Sequence, residues 1–76
     1  MNKGEATKIA TKILSYGTYA RSGSESQVKY EGEWVTLYGS SGRQAKPAEQ
    51  KRQLVQHILD NDESAPDRLK SWNVFR

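Results

Sequence analysis

Residues 38–47, YGSSGRQAKP, combine residue types that can bind a phosphate. Gly39 and Gly42 allow the backbone to bend so that successive N–H groups converge on an anion, and Arg43 can reach the same group. In a P-loop, however, a lysine and then a hydroxyl residue directly follow the second glycine, whereas Arg43 and Gln44 stand here. We therefore interpret the stretch as a connector from a strand to a helix. Contact with the phosphate of a polymer is the alternative, and nucleotide binding is the least favoured.

A second candidate site consists of Lys29, Trp34 and Tyr38, which belong to one predicted sheet. Aromatic rings on an open sheet face stack on unpaired bases, while a lysine meets the backbone charge of a nucleic acid. Tryptophan and tyrosine are also enriched among the residues that dominate protein–protein binding. A third interpretation is burial of this face under the C-terminal segment, which contains Trp72 and Phe75. These three alternatives stay open at the level of the sequence.

A third candidate is a set of basic residues that follow the second glycine of the connector. They are Arg43, Lys46, Lys51 and Arg52, with Glu49 among them. Lys51 and Arg52 are adjacent on a predicted helix, so their side chains diverge by about 100°. A solvated helix face is the ordinary explanation. If the two main helices lie side by side, these cations can join Lys8 and Lys12 in one positive surface.

The chain offers little for catalysis or for metal binding. His57 is the single histidine, and it lies beside an apolar helical stripe, where we expect a packing residue at the edge of the core. The absence of cysteine excludes disulfides and thiolate metal sites. The acids at 60–63 lack the alternating pattern of a calcium loop. We predict a protein that is not an enzyme and that has no metal site and no cofactor.

Length and charge limit the possible classes further. The chain has 76 residues, a formal net charge of +3 and 34% hydrophobic residues. We expect one domain, residues 1–76, with a small core. No stretch has the length and apolar character of a signal peptide or a membrane span, so we expect a cytoplasmic protein without a membrane partner. The modest basic excess is compatible with nucleic acid but small for a dedicated nucleic-acid binder.

Two segments show the apolar spacing of an amphipathic helix. In residues 5–16 apolar side chains recur at i, i+3, i+4, i+7 and i+8, and Gly17 stands where a helix commonly ends. The second helix begins at Pro47, because proline suits the first helical position, and runs to Leu59. A short third helix over residues 65–72 follows a capping serine.

The strongest strand pattern lies between the two main helices. Two alternating runs flank Glu31-Gly32, and glycine stands at the turn position where a positive φ is tolerated. A two-residue turn pairs Tyr30 with Glu33, Lys29 with Trp34, Val28 with Val35 and Gln27 with Thr36. One face then holds Val28, Tyr30, Val35 and Leu37 and forms the core, and the other holds Gln27, Lys29, Trp34, Thr36 and Tyr38. A bulge or a longer turn would exchange the two faces.

The sequence thus predicts an α+β domain, with an antiparallel hairpin or three-stranded sheet packed against two main helices and a short C-terminal helix. Residues 18–21 can form the third strand, and residues 21–26 are expected to be a mobile loop. For function we predict a non-enzymatic protein-interaction or inhibitory module that docks on a larger protein or complex. The alternative is a small basic protein that binds DNA or RNA through the seven candidate residues above. The oligomeric state is left open.

Overall fold

A computed structural model of the chain describes residues 1–62. Two helices pack against one face of a three-stranded antiparallel sheet in which the strands lie in chain order. The elements are α1 (Lys3–Ser15), β1 (Tyr19–Ala20), β2 (Glu25–Tyr30), β3 (Glu33–Tyr38) and α2 (Pro47–Asp60). This confirms the predicted α+β class and the third strand. The predicted C-terminal helix over residues 65–72 lies outside the described residues.

Both helices begin and end close to the predicted positions. The Asn2 side chain caps α1 by accepting a hydrogen bond from the Glu5 N–H at 2.8 Å. Gly17 has a φ of +91° directly after the last turn of α1, as expected of a residue that ends a helix. Pro47 occupies the start of α2, where its missing N–H costs no intrahelical hydrogen bond.

The hairpin has the predicted register. Glu31 and Gly32 both adopt positive φ, as a two-residue hairpin turn requires, and Lys29 pairs with Trp34. The predicted loop over residues 21–26 is wrong at its end, because β2 begins at Glu25 and pairs Ser26 with Leu37. Backbone pairing with β3 here overrides the preference of a polar, serine-rich sequence for a loop.

The core lies between the sheet and the helices. The predicted face of the hairpin points inward, and it meets apolar residues from both helices. The fully or nearly buried apolar residues are Ala6, Ala10, Val28, Val35, Leu37, Leu54, Val55, Ile58 and Leu59. Tyr30 and His57 pack at the edge of this core with their rings edge to face at 6.0 Å. His57 therefore has the packing contact that its place in the sequence predicts.

Ser26 is a polar residue inside this core. Its side chain is fully buried, and its hydroxyl has no hydrogen-bond partner within residues 1–62. A buried hydroxyl without a partner is unfavourable by about 1–3 kcal/mol. We expect Ser26→Ala to leave the free energy of unfolding unchanged or to raise it by about 1 kcal/mol, as measured by urea unfolding. A loss of more than about 1 kcal/mol would contradict this explanation.

Ser22 offers a comparison for that measurement. Its hydroxyl oxygen accepts a hydrogen bond from the Glu25 N–H at 3.3 Å, in the turn before β2. Ser22→Ala removes a bond that exists, so we expect it to lower the free energy of unfolding by a few tenths of a kcal/mol up to about 1 kcal/mol. Ser22→Ala should therefore be the less stable of the two serine variants.

Candidate functional site

The open face of the sheet carries an aromatic patch, which we define as Tyr19, Lys29, Trp34 and Tyr38. Trp34 and Lys29 face each other across β2 and β3, and the Lys29 Nζ lies 4.7 Å from the centroid of the indole. The Tyr19 ring approaches the same indole edge to face, with 5.2 Å between centroids. Among residues 1–62 nothing covers these side chains fully, since Tyr19 is 66% exposed, Trp34 50% and Tyr38 59%. The segment with Trp72 and Phe75, which one interpretation placed over this face, lies outside the described residues.

These contacts favour one arrangement of Tyr19, Lys29 and Trp34. An edge-to-face aromatic pair contributes about 0.5–1.5 kcal/mol, and a cation over an exposed ring about 0.5–1 kcal/mol. Trp34 takes part in both interactions while half of its surface faces solvent. An accessible tryptophan that is already ordered loses less conformational entropy on binding than a free one.

Arg43 and Lys46 lie at the Tyr38 end of the patch. With the backbone of Gly39 and with Ala45 they line an open hollow of about 710 Å³ between the connector and the start of α2. The connector is itself folded, because Ser40 and Arg43 exchange backbone hydrogen bonds of 3.0 and 2.9 Å around a tight turn. The structure thus brings Arg43 and Lys46 next to the aromatic patch.

Lys51 and Arg52 lie in the helical layer. Together with Lys3 they line a hollow of about 210 Å³ between α1 and α2, on the side of the sheet opposite the patch. Arg52 forms an ion pair with Glu49, with 2.6 Å between Nη2 and Oε2. The seven predicted residues therefore divide between two sides of the molecule, with five at the patch and its end and two in the helical layer.

The Arg52 side chain also sets the ionisation of Glu49. Its hydrogen bond to the carboxylate, supported by a second one from Gln53, lowers the pKa of Glu49 from its ordinary value. We expect Arg52→Gln to raise the pKa of Glu49, which can be measured by NMR titration of the side-chain carboxyl carbon. An unchanged Glu49 pKa in Arg52→Gln would show that the ion pair does not persist in solution.

The wild-type pair should also contribute a small pH dependence to stability. A carboxyl whose folded pKa is lowered stabilises the fold above its unfolded pKa, and that contribution disappears as the pH falls through the folded value. The contribution is small because the Arg52 side chain is 51% exposed and that of Glu49 35%, so solvent screens the pair.

Gln53 joins α2 to the edge of the sheet. Its buried carboxamide donates a hydrogen bond to the Tyr38 carbonyl and accepts one from the Tyr38 N–H, both at 2.7 Å. Between β3 and α2 runs a groove of about 570 Å³, lined among others by Thr36, His57 and Asp60. The groove lies beside the patch along the free edge of β3, the edge that pairs with no other strand of residues 1–62.

Two residues of this region were not among the predicted site residues. Tyr19 belongs to the patch because β1 pairs Tyr19 with Gln27, which puts it on the open face. The sequence does contain a signal for Tyr19, because it lies on a predicted strand that precedes the hairpin. Gln53 had no such signal, since a glutamine on an otherwise apolar helical stripe looks like a boundary residue until its partner on the strand is known.

Comparison of the chain with protein families, curated proteins and solved structures found no match. Within residues 1–62, no helix is long and apolar enough to cross a membrane. The same residues contain no group of three or more histidine and acidic side chains arranged to hold a metal ion. The functional conclusion therefore depends on the chemistry of the patch and its surroundings.

Proposed function

We propose that this chain is a non-enzymatic protein-interaction module that docks its aromatic patch on a larger protein or complex. The observation that carries the proposal is Trp34, half exposed on an open sheet face and ordered by Tyr19 and Lys29. An accessible, ordered tryptophan with a tyrosine beside it is the type of group that dominates protein–protein binding energy. Docking would bury these rings and exclude water from them.

The contacts within the patch favour a protein over a nucleic acid. A nucleobase that stacked on the covered face of the Trp34 indole would first displace the Lys29 ammonium, which lies 4.7 Å from the ring centroid. Residues 1–62 carry nine lysines and arginines against seven acids, an excess that is small for a nucleic-acid binder. Glu25 also lies opposite Tyr38 at one end of the open face. A protein partner can pack on the exposed parts of these rings without displacing Lys29.

Nucleic-acid binding is the second candidate function, and one observation supports it. Arg43 and Lys46 flank the same hollow as Tyr38, so that two cations and an exposed ring lie together at the end of the sheet. This arrangement suits a phosphate next to an unpaired base. Binding of this kind should weaken steeply with salt, because neutralised phosphates release counterions.

The test compares two aromatic variants, Trp34→Ala and Tyr16→Ala. Tyr16 is 78% exposed but lies at the end of α1, outside the patch, so it controls for the loss of any accessible ring. The immobilised proteins are incubated with soluble extract of the source cells, and the retained proteins are quantified. We expect a protein that wild type and Tyr16→Ala retain equally and that Trp34→Ala loses at least tenfold.

A titration with fluorescein-labelled single- and double-stranded oligonucleotides at two salt concentrations completes the test. Micromolar binding that falls with salt and is lost in Arg43→Ala would replace the proposal by the second candidate function. Equal retention of all proteins by Trp34→Ala and wild type would also contradict the proposal.

A further inference from the structure

The free edge of β3 carries backbone groups that point away from the sheet. β3 lies at one side of the sheet, and Tyr30 and Glu33 flank a two-residue turn, so this pair exchanges hydrogen bonds. The alternation of an antiparallel ladder then directs the N–H and C=O groups of Trp34, Thr36 and Tyr38 toward the open edge. The bonds from Tyr38 to Gln53 agree with this direction.

Gln53 shows what the open edge can bind. A carboxamide has the same donor and acceptor as a peptide group, and that of Gln53 bonds both backbone groups of Tyr38 at 2.7 Å, as a neighbouring strand would. At Trp34 and Thr36, no hydrogen bond within residues 1–62 completes the outward backbone groups. Gln53 therefore completes the outward hydrogen bonds of β3 at Tyr38, whereas those of Trp34 and Thr36 stay available to an added strand.

The groove beside this edge has the shape of a channel for one extended segment. α2 forms its far wall with Gln53, His57 and Asp60, which recur along one side of the helix. The open part of β3 is about 10–13 Å long, which corresponds to four or five residues of an added strand. A second copy would bring its own α2 to the same edge, whereas an extended peptide brings no helix.

The helical wall carries negative charge. Asp60 accepts a hydrogen bond from Gln56, and neither of the ion pairs within residues 1–62 includes it. Glu49 lies at the other end of the wall, where it is paired with Arg52. A side chain that enters the groove toward Asp60 is therefore favoured if it is a lysine or an arginine.

We propose that the groove between β3 and α2 binds an extended peptide, which adds a fourth strand to the sheet and directs a basic side chain toward Asp60. Main-chain bonds to Trp34 and Thr36 supply affinity, and alternate side chains supply specificity. The inference rests on the proposed function in that the partner is a protein. The outward side chains of the added strand would lie beside Trp34 on the open face.

The test uses a matched pair at Thr36. Thr36→Pro removes the N–H that points to the open edge, which an edge strand tolerates because that N–H takes no part in the ladder with β2. Thr36→Ala keeps the N–H. Both variants lose the same side-chain bond from Gln27 to Thr36, so they differ in the backbone donor and in the proline ring. Circular dichroism and thermal unfolding establish that each variant is folded.

The probe is an acetylated and amidated octapeptide of alternating valine and lysine, titrated into the ¹⁵N-labelled full chain. We expect saturable shifts of the Trp34 and Thr36 amide signals, with affinity within threefold of wild type in Thr36→Ala and at least tenfold weaker in Thr36→Pro. The same peptide with glutamate in place of lysine should bind at least tenfold more weakly. Asp60→Lys, at an exposed position, should reverse that preference even if Thr36→Pro does not fold.

Three outcomes would overturn the inference. One is the absence of saturable shifts, and another is equal affinity of folded Thr36→Pro and Thr36→Ala. The third is a concentration-dependent dimer, seen by light scattering, that Thr36→Pro abolishes, because the edge would then bind a second copy. Trp34→Ala separates the two proposals. If this variant no longer retains the partner protein but still binds the peptide, the patch binds the partner and the groove is an independent peptide site.

Discussion

Gly39→Ala should lower the free energy of unfolding by about 3 kcal/mol or more, the largest effect among the substitutions that we predict. A Cβ atom at this position would overlap the Arg43 carbonyl oxygen and lie 2.6 Å from the Ala45 nitrogen. All of the obstructing atoms belong to the backbone, so no side chain can move aside. The Gly39 N–H also donates to the Ser24 carbonyl at 2.6 Å, which holds the strand end in place.

Gly42→Ala is the matched control, three residues along the same connector. Gly42 has a φ of +74°, and a Cβ atom there would meet nothing within 4 Å. Its replacement therefore adds only the strain of a left-handed conformation, about 1–2 kcal/mol. Urea unfolding of both variants measures the difference. Equal losses would mean that the connector opens in solution and that the close approach at Gly39 does not stabilise the fold.

Gln53→Leu should produce the second largest loss, about 2–3 kcal/mol. Leucine is similar in size but removes two hydrogen bonds to the Tyr38 backbone, each of which contributes about 1 kcal/mol net. Gln50→Leu, three residues earlier on α2 and only half-buried, should change stability by no more than about 0.5 kcal/mol. Similar losses in the two variants would indicate that a general effect of leucine on α2, not the strand contact, is being measured.

Gln53→Glu gives the same contact a pH dependence. The glutamate still accepts from the Tyr38 N–H, but when ionised it directs a second oxygen at the Tyr38 carbonyl and lies beside Glu49. These repulsions raise its folded pKa, so the destabilisation is present above that value and decreases as the pH falls and the carboxyl becomes a donor. The stability of Gln53→Glu relative to wild type should therefore improve toward acidic pH.

The register of the hairpin could be predicted because two local signals agree. The alternation of side chains sets the two faces, and the glycine in Glu31-Gly32 selects a turn that fixes the pairing. The start of β2 could not be predicted in this way. Ser26 and its neighbours are polar, and only their pairing with Leu37 and Tyr38, distant in sequence, makes them a strand.

For the candidate site too, local pairing could be predicted but tertiary placement could not. Lys29 and Trp34 were predicted to lie together because they are directly paired within one hairpin. Lys51 and Arg52 were grouped with them by charge, but their positions depend on which side of the sheet α2 covers, and periodicity along one helix does not determine this. The contact between Gln53 and Tyr38 depends on the same tertiary placement.

The packing of α1 against α2 determines the order in which the chain can fold. The two helices are separated by about thirty residues, and that segment contains all three strands of the sheet and the connector. The β2–β3 hairpin closes over a two-residue turn, so its contacts form at a small entropic cost, whereas the helix pair closes the longest loop. We expect substitutions in the hairpin core, such as Val35→Ala, to slow folding. Substitutions such as Ala10→Gly should instead accelerate unfolding.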